Sequence, residues 1–525
     1  MDPDRLAPLS RAGLRLPLLL TAGVAGALAF PAADWWLFGW VWVAPALACA
    51  LVRPPRAALG DGWLQGTVFF VVLLRWLDHT FRHYSAIPWP LTWLPILALA
   101  AYCGLYAGLV CAAVARLRAR VGAGWAAAMA PALWVGGEWI RGRLMDGFPW
   151  GLAGYSQHAV LPVIQIAELT GVYGVSFLLL AVNAALAAAV GLGWRRALPG
   201  ALVTLALVGG ALGFGWSALR ADGPGATRAG PSVRVGLIQP SIEQTMKWDP
   251  VRHAEIMSVY ERLTREAARP EAAGGASAPP AIVLWPETAA TIFLRGDPAL
   301  LGRLAALSAE LGSALLVGSI DRLDGPRGKL LNSAFFLDGR GIGAKYDKIH
   351  LVPFGEYVPL SGLIGFVRSW AEFISDFGAG QERTLFPLPG APFGVVICYE
   401  VIFPELFRGF VAEGATFMVN ITNDAWFGET SGPWQHLGML PLRAVENRVA
   451  IARAANTGVS AFVAPSGRVT RRLPLLERGV LADRVPLRQT ATVYTRFGDW
   501  FALACLAVAA GALGHSLFRR STPSC

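Results

Sequence analysis

The sequence predicts an α-helical membrane domain of eight transmembrane helices joined to an α/β extramembrane domain. Three observations carry this reading. The chain of 525 residues is 54% hydrophobic and only 15% charged, where a soluble globular protein carries roughly a quarter charged residues. The apolar residues are segregated: Gly13 to Trp216 is mostly apolar runs, whereas Arg220 to Asp499 has the make-up of an ordinary soluble domain. Within that second part, short β-branched runs alternate with helical patterns, as in a sandwich of sheets covered by helices.

Spanning a bilayer takes about 20 apolar residues. Runs of that order lie at 13–31, 35–53, 60–79, 88–115, 122–141, 162–193 and 197–217, with an eighth at 500–518. Arg5, Arg11 and Arg15 flank the first run as they would a signal peptide, but the runs that follow make it a first span. Trp35, Trp36, Trp89, Trp93, Trp139 and Trp150 lie near run ends, the place of an interfacial aromatic belt. Eight spans sort the short loops into two sides. Arg5, Arg11, Arg15, Arg53, Arg56, Arg116, Arg118, Arg120, Arg195, Arg196, Arg519 and Arg520 fall on one, and Arg82, Arg141 and Arg143 on the other. The Arg-rich side is cytoplasmic by the positive-inside rule. The net charge of +10 is therefore a signature of topology, and nothing in it calls for nucleic acid. The expected division is 1–217 for seven helices, 218–498 for an outer, periplasmic catalytic domain, and 499–525 for the eighth helix and a cytoplasmic tail. Glu138 and Glu168 sit in or beside spans, where a carboxylate is costly unless paired. Glu138 reads either as an ion-pair partner of Arg141 or Arg143, or as a wall of a lipid-facing site.

A Gly- and Pro-rich linker, Ala221 to Pro231, precedes the soluble part. Strands are expected at Val233–Gln239, Ala281–Glu287, Ala314–Ile320, Asn332–Asp338, Gly394–Glu400, Phe417–Asn423 and Val459–Ala464, and helices at Val251–Ala268, Pro298–Leu311 and Leu437–Ala454. No repeat of solenoid period is present. The small-residue stretch Glu271–Pro280 is the one low-complexity piece besides the linker.

Of six cysteines, Cys49, Cys103 and Cys111 lie in apolar runs, Cys505 in the last run, and Cys525 at the end of the chain. Cys398 is alone in the soluble part, with no disulfide partner there and no Cys/His cluster for zinc. A lone buried cysteine is commonly an inert small hydrophobe. Its setting points elsewhere. Phe393 to Ile397 reads as a buried strand running into Cys398, Tyr399 and Glu400, and a thiol at a strand end is held by rigid backbone. The first N–H groups of the following turn then face a developing oxyanion. Two other strand ends offer partners. Glu287 closes LWPE, and desolvation there suits a general base. Lys348, in YDKIHLVPFGE, lowers a thiol pKa or holds an oxyanion, and Glu356 of the same stretch pairs with Lys348 or supports the base. The histidines have no metal-binding spacing, and no phosphate-binding glycine motif occurs.

In these contexts Glu287, Lys348 and Cys398 resemble the Glu-Lys-Cys triad of the nitrilase superfamily. Combined with eight spans, the chain resembles the membrane-embedded branch of that superfamily, the apolipoprotein N-acyltransferases. The resemblance extends to Ala29–Pro31, Gly147–Trp150, Gly154–Gln157, Lys247-Trp248-Asp249, Asn423–Gly428 and Tyr494–Trp500. It implies an αββα nitrilase-like sandwich, a cell inner membrane location, and acyl transfer in two halves. Glu287 takes the Cys398 proton, and the thiolate attacks an ester carbonyl of a phospholipid, phosphatidylethanolamine in the family. Lys348 and a backbone N–H near Tyr399 hold the oxyanion. The thioacyl-enzyme then passes its acyl chain to the α-amine of an S-diacylglyceryl cysteine at a lipoprotein N-terminus. No cofactor or metal is implied; Glu356, Tyr399, Glu400 and Trp248 are implied as supporting or substrate residues. A membrane-tethered amidase or nitrile hydrolase is the alternative on the same triad. A scaffold without activity fits poorly with an intact triad. The loop charges carry a direct test: an alkaline phosphatase fusion after Arg220 is expected to be active and one after Arg196 inactive, and the reverse pattern overturns the span count.

Overall fold

The computed structural model describes residues 12–221, 230–269, 278–323, 328–358 and 377–518. Arg5, Arg11, Arg519 and Arg520 of the loop-charge argument lie outside these residues, as do 222–229 of the linker and most of Glu271–Pro280. The described chain forms two compact units. The first holds 12–78, 90–221 and 497–518, and the second 79–89 and 230–496.

The first unit is helical. Four described helices are long and apolar enough to cross a membrane: Trp93–Val121, Val172–Leu192, Trp194–Arg220 and Trp500–Leu517; the bent pair Pro55–Leu73 and Leu77–Tyr84 gives a fifth if it is one span. That is fewer than the eight apolar runs of the sequence, because several runs are broken or short. The run 162–193 is not one span. It divides into turns Leu161–Ile164 and Ala167–Thr170, and the long helix starts only after Gly171, whose φ of 67° no preceding helix accommodates. The run 35–53 likewise divides into a 3₁₀ turn Trp36–Trp40 and a helix Ala44–Ala50.

Glycines set the closest helix pair. A Cβ on Gly66 would lie 3.0 Å from the Gly104 Cα, and one on Gly104 would lie 2.5 Å from the Thr67 N. Gly62 and Gly108 meet backbone carbonyls of the same two helices in the same way. Small residues four apart on facing helices allow this approach and its van der Waals packing. One buried amide in the unit is fully engaged. Asn183, fully buried in Val172–Leu192, accepts from the Val43 and Ala44 N–H at 2.8 and 2.9 Å. It donates to Gly39 O at 3.2 Å and Leu179 O at 2.8 Å. One amide thus satisfies the backbone that the break in the run 35–53 exposes.

Glu138 forms neither of the expected ion pairs. Its Oε1 accepts from Trp134 Nε1 at 2.9 Å and from the Ala153 N–H at 2.7 Å. Arg141 instead donates to the Phe148 and Trp150 carbonyls, each at 2.7 Å, and Arg143 pairs with Asp499. Glu138 and Arg141 together staple the segment 148–153. Trp150 is accordingly buried against Trp76, with ring centroids 5.2 Å apart, and is no interfacial anchor.

Among the described residues the second unit contains twelve strands: β1 Ser232–Gln239, β2 Ile282–Leu284, β3 Ala290–Phe293, β4 Ala314–Arg322, β5 Leu330–Asp338, β6 Gly341–Asp347, β7 Phe393–Ile397, β8 Phe417–Thr422, β9 Ile451–Ala455, β10 Ala461–Val463, β11 Val469–Arg472 and β12 Gly479–Pro486. One sheet has the order β12-β1-β2-β4-β5-β6 with β3 beside β4; the other has the order β11-β10-β9-β8-β7. The pairs β1–β2, β2–β4, β7–β8 and β8–β9 are parallel. Their burial on both faces explains why they read as continuous apolar runs. Helices His253–Ala268 and Pro298–Leu311 cover the first sheet, enclosing a core in which Tyr260 stacks on Trp285 at 4.7 Å. The expected helix Leu437–Ala454 is corrected: it ends at Asn447, Arg448 turns left-handed at φ 46°, and Ile451–Ala455 is β9. Fully buried β9 alternates no polar residues outward, so its sequence runs on from the helix without a period change.

The segment 79–89 also packs in this unit. Thr80 donates to Trp426 O at 2.9 Å and Tyr84 to Ala425 O at 3.3 Å. The Asn183 bonds generate a test in the first unit. Asn183→Leu makes its helix more apolar, yet should lower stability by about 1–2 kcal/mol, the worth of such interhelical polar contacts; an unchanged thermal midpoint of the full chain in detergent would refute this role.

Candidate active site

The nucleophile candidate stands where β7 stops. Cys398 is 7% exposed and adopts φ 51°, a left-handed conformation that costs a non-glycine residue energy. The chain then enters the short 3₁₀ turn Cys398–Ile402. Glu400 holds this corner. One carboxylate oxygen accepts from the Ile397 N–H at 2.7 Å. The other accepts from the Tyr346 hydroxyl at 2.8 Å and from the Ile349 and His350 N–H groups at 2.6 and 3.1 Å. The same carboxylate therefore joins the nucleophile's strand to the segment that carries Lys348. Burial pushes Glu400 up to about 7, opposed by the Ile397 N–H and the Lys348 charge and then by the hydroxyl and N–H donors beyond.

A second polar assembly lies behind the elbow. His436 Nε2 donates to the Cys398 carbonyl at 3.1 Å, and its Nδ1 lies 3.0 Å from Asp424 Oδ1. Arg453 donates to Asp424 at 2.5 Å and also binds Asn420 Oδ1. Thr422 donates to Asp424 at 2.8 Å. Burial raises the Asp424 carboxyl, but Arg453 and His436 outweigh it and hold it well below the usual carboxylate range.

Glu287 arrives from the other sheet. β2 ends at Leu284, and the buried Trp285 donates to Thr264 Oγ1 at 2.9 Å, fixing the start of the turn. Thr288 then adopts φ 47°, unusual for a β-branched residue. β4 passes close beneath, and a Cβ on Gly318 would lie 2.2 Å from Pro286 O. Both Glu287 oxygens are engaged: Oε1 accepts from Asn332 Nδ2 at 2.7 Å and Oε2 from the Asn423 N–H at 2.8 Å.

Lys348 follows β6 directly and is 1% exposed. Its Nζ lies 2.9 Å from Glu356 Oε2 and 3.5 Å from Glu287 Oε1. Burial lowers the ammonium's pKa, but Glu356, then Glu287 and Cys398, outweigh it, and Lys348 titrates above its ordinary value. The Cys398 thiol is pushed up, first by burial and then by the Glu287 carboxylate, against the pull of Lys348. A carboxylate and a buried cation thus act on the thiol with opposite sign, and burial adds to the carboxylate's effect.

The structure brings together Glu287, Lys348, Cys398, Glu356 and Glu400. Tyr399 is half-buried with its ring edge-on to Phe403 at 5.2 Å, and Trp248 is 46% exposed. Sequence reasoning missed Asn332, whose amide bridges Glu287 and Glu356 at 2.7 and 2.9 Å. An asparagine inside a strand pattern carries no signal of that kind. It also missed His436 and Arg453, although Asp424, their common partner, lies in the quoted stretch Asn423–Gly428. No group of three or more His, Cys, Asp or Glu among the described residues could hold a metal ion.

Two sheets with cysteine, lysine and glutamate gathered at buried strand ends define a class, and the family model "Carbon-nitrogen hydrolase" matches residues 234–494. The first half matches a different model, "Apolipoprotein N-acyltransferase N-terminal domain", over residues 22–185. The chain is 37% identical to the apolipoprotein N-acyltransferase of Geobacter metallireducens, covering 96% of this chain and 95% of that one. It is 36% identical to that of Azotobacter vinelandii over 96% and 95% of the two chains, and 38% identical to that of Allorhizobium ampelinum over 89% of each. The chain belongs to the apolipoprotein N-acyltransferase family.

The Glu400 geometry makes a sharp expectation. Glu400→Gln replaces one oxygen by an NH₂ group, and in either orientation that donor meets N–H or O–H donors. The change should cost about 2 kcal/mol, the order of an unsatisfied buried group. A thermal midpoint of the full-length variant equal to the wild type's would show that the four bonds do not hold the corner.

Proposed function

We propose that the protein transfers an acyl chain from a phospholipid to the N-terminal α-amine of a diacylglyceryl-cysteinyl lipoprotein, by a ping-pong reaction through a thioester on Cys398. The observation that carries this reading is the buried constellation of a thiol, a carboxylate with both oxygens held, and an ion-paired ammonium. It occurs in a chain that also bears helices able to cross a membrane.

In the first half, Glu287 takes the Cys398 proton and sulfur attacks the ester carbonyl. Lys348 stabilises the oxyanion, a place where a fixed donor in a dry site counts most. Collapse breaks the ester C–O bond, the proton on Glu287 passes to the leaving alkoxide, and lysophospholipid departs. In the second half, the free amine attacks the thioester, Glu287 accepts its proton, the amide forms, and the thiol is regenerated with that proton. Burial of Cys398 limits loss of the thioester to water. Glu356 and Asn332 keep Lys348 and Glu287 in register, and Trp248, exposed and part of the motif Lys247-Trp248-Asp249, is the candidate substrate contact. Phosphatidylethanolamine is the expected donor. We place the second unit on the periplasmic side of the inner membrane, with the division 1–217, 218–498 and 499–525 and eight spans in all, supported by the loop-charge asymmetry of the sequence.

Intact mass of the purified protein after incubation with phosphatidylethanolamine should rise by one acyl chain on Cys398, released by neutral hydroxylamine. Cys398→Ser should turn over little, since a base matched to a thiol activates a hydroxyl poorly. A diacylglyceryl-cysteinyl peptide should discharge the adduct, and the same peptide with its amine acetylated should not. Equal discharge by both would make water the acceptor and put a membrane-tethered hydrolase in place of the transferase.

A further inference from the structure

Lys247 is a second lysine at this site, and nothing in the acyl-transfer scheme above uses it. It is 1% exposed and lies at the end of the short helix Gln244–Lys247. Its Nζ donates to the Glu287 carbonyl at 2.9 Å and to Thr288 Oγ1 at 2.7 Å. These are the two residues of the strained turn that presents the base. The same helix reaches the base from its other side: Gln244 Oε1 accepts from Asn423 Nδ2 at 2.7 Å, and the Asn423 N–H donates to Glu287 Oε2 at 2.8 Å. One short helix therefore grips Glu287 through its backbone and, by way of Asn423, through its carboxylate.

Charge balance points the same way. Glu287, Glu356 and Lys348 are one buried cluster with a surplus of one negative charge. Moving the thiol proton to Glu287 and forming an oxyanion leaves that surplus unchanged. A buried charge without a counterpart is costly. Lys247, protonated, brings the cluster to neutrality both at rest and at the tetrahedral intermediate. The titratable groups in its field are Glu287 and the Cys398 thiol, and behind Glu287 stand Lys348 and Glu356.

We propose that Lys247 is a positioning residue for the general base: it clamps the Glu287–Thr288 turn in its left-handed conformation and supplies the cation that neutralises the buried cluster during acylation. The inference rests on the thioester reading of the site. Burial lowers the Lys247 pKa to about 8, with Glu287 opposing the shift. The lysine is charged below that value and neutral above it, so its contribution is present at neutral pH and lost as pH rises through about 8.

The test uses the full-length protein in detergent, with Lys247→Met and Lys247→Arg. Initial rates of Cys398 acylation by phosphatidylethanolamine are measured against donor concentration and from pH 6 to pH 10. Lys247→Met should lower the acylation kcat by about a hundredfold, the scale of a misplaced catalytic group, with KM for the donor unchanged. The wild-type rate should fall above pH 8, and this alkaline limb should be absent in Lys247→Met and move upward in Lys247→Arg, which stays charged. A limb that stays in place in both variants, or Lys247→Met rates within about twofold of wild type, overturns the proposal, since ordinary surface-like substitutions are this mild. Alkylation of Cys398 by iodoacetamide at pH 7, read at the peptide level, needs no lipid. It should slow by about tenfold in Lys247→Met if proton removal by Glu287 is impaired, and equal alkylation rates overturn the proposal. Failure of the wild type to acylate, with alkylation still slowed in the variant, would sink the thioester reading while leaving the Lys247 role standing.

Discussion

Placing two carboxylates, an ammonium and a thiol together without water is the constraint around which the second unit is built. Ions removed from water lose several kcal/mol of hydration each unless neighbours replace it. Each charge here has fixed partners: Glu287 has Asn332 and the Asn423 N–H, Glu356 has Lys348 and the Val352 N–H, and Lys348 has both carboxylates. The partners come from β5, the segment after β6 and the loop after β8, so the site exists only once both sheets are formed. Local sequence cannot make it alone. The same burial pushes the Cys398 thiol up, with the Glu287 carboxylate adding to the shift and Lys348 opposing it.

Strain marks two positions of the candidate site. Cys398 and Thr288 are both left-handed, and neither is a glycine. Such conformations persist when the surroundings over-determine them. Cys398 has Glu400 on the Ile397 N–H before it and His436 on its own carbonyl. Thr288 has Lys247 on its hydroxyl and Gly318 packed beneath the turn. The buried polar residues around the site thus divide into those that face the chemistry and those that hold backbone in a shape it would otherwise leave.

Legibility in the sequence followed from periodicity and from strand ends. The strands around Gln239, Asp338 and Ile397 were readable because parallel or doubly covered strands are continuous apolar runs, Glu287 and Cys398 were readable because each closes or follows such a run, and Lys348 was readable from the flanking residues of YDKIHLVPFGE. Asn332 was not, since its role comes from register: it stands opposite Ile320 on one side, and its side chain meets two carboxylates that lie 45 residues back and 24 residues ahead. β6, which delivers Lys348, escaped because Gly341 to Asp347 is half-exposed and lacks an apolar run. β9 escaped for the opposite reason, its apolar character continuing that of the helix before it. In the first unit, hydropathy located the apolar runs and missed their breaks, because what decides a break is the partner of the freed backbone. Asn183, seven residues from the nearest other polar side chain in its sequence neighbourhood, Ser176, gives no sign that it serves Val43 and Ala44.

The tendency of backbone groups away from water to meet a partner also bears on the path of the chain between residues 78 and 90. His79–Trp89 lies between two apolar helices in sequence, yet it packs with the second unit. The carbonyls of Ala425 and Trp426 follow directly on Asn423 and Asp424, which serve Glu287 and the His436 cluster. Tyr84 and Thr80 donate to those carbonyls, and the Tyr84 ring meets Trp426 edge-on at 4.8 Å. Gly428, at φ 55°, leaves room for the His79 ring where a Cβ would lie 2.3 Å from it. A loop that supports Glu287 on one side is therefore held on the other by residues encoded more than three hundred positions earlier. The second unit is incomplete as the single stretch 230–496, because two of the hydrogen bonds that satisfy its 424–428 loop come from a segment inserted among the helices of the first half.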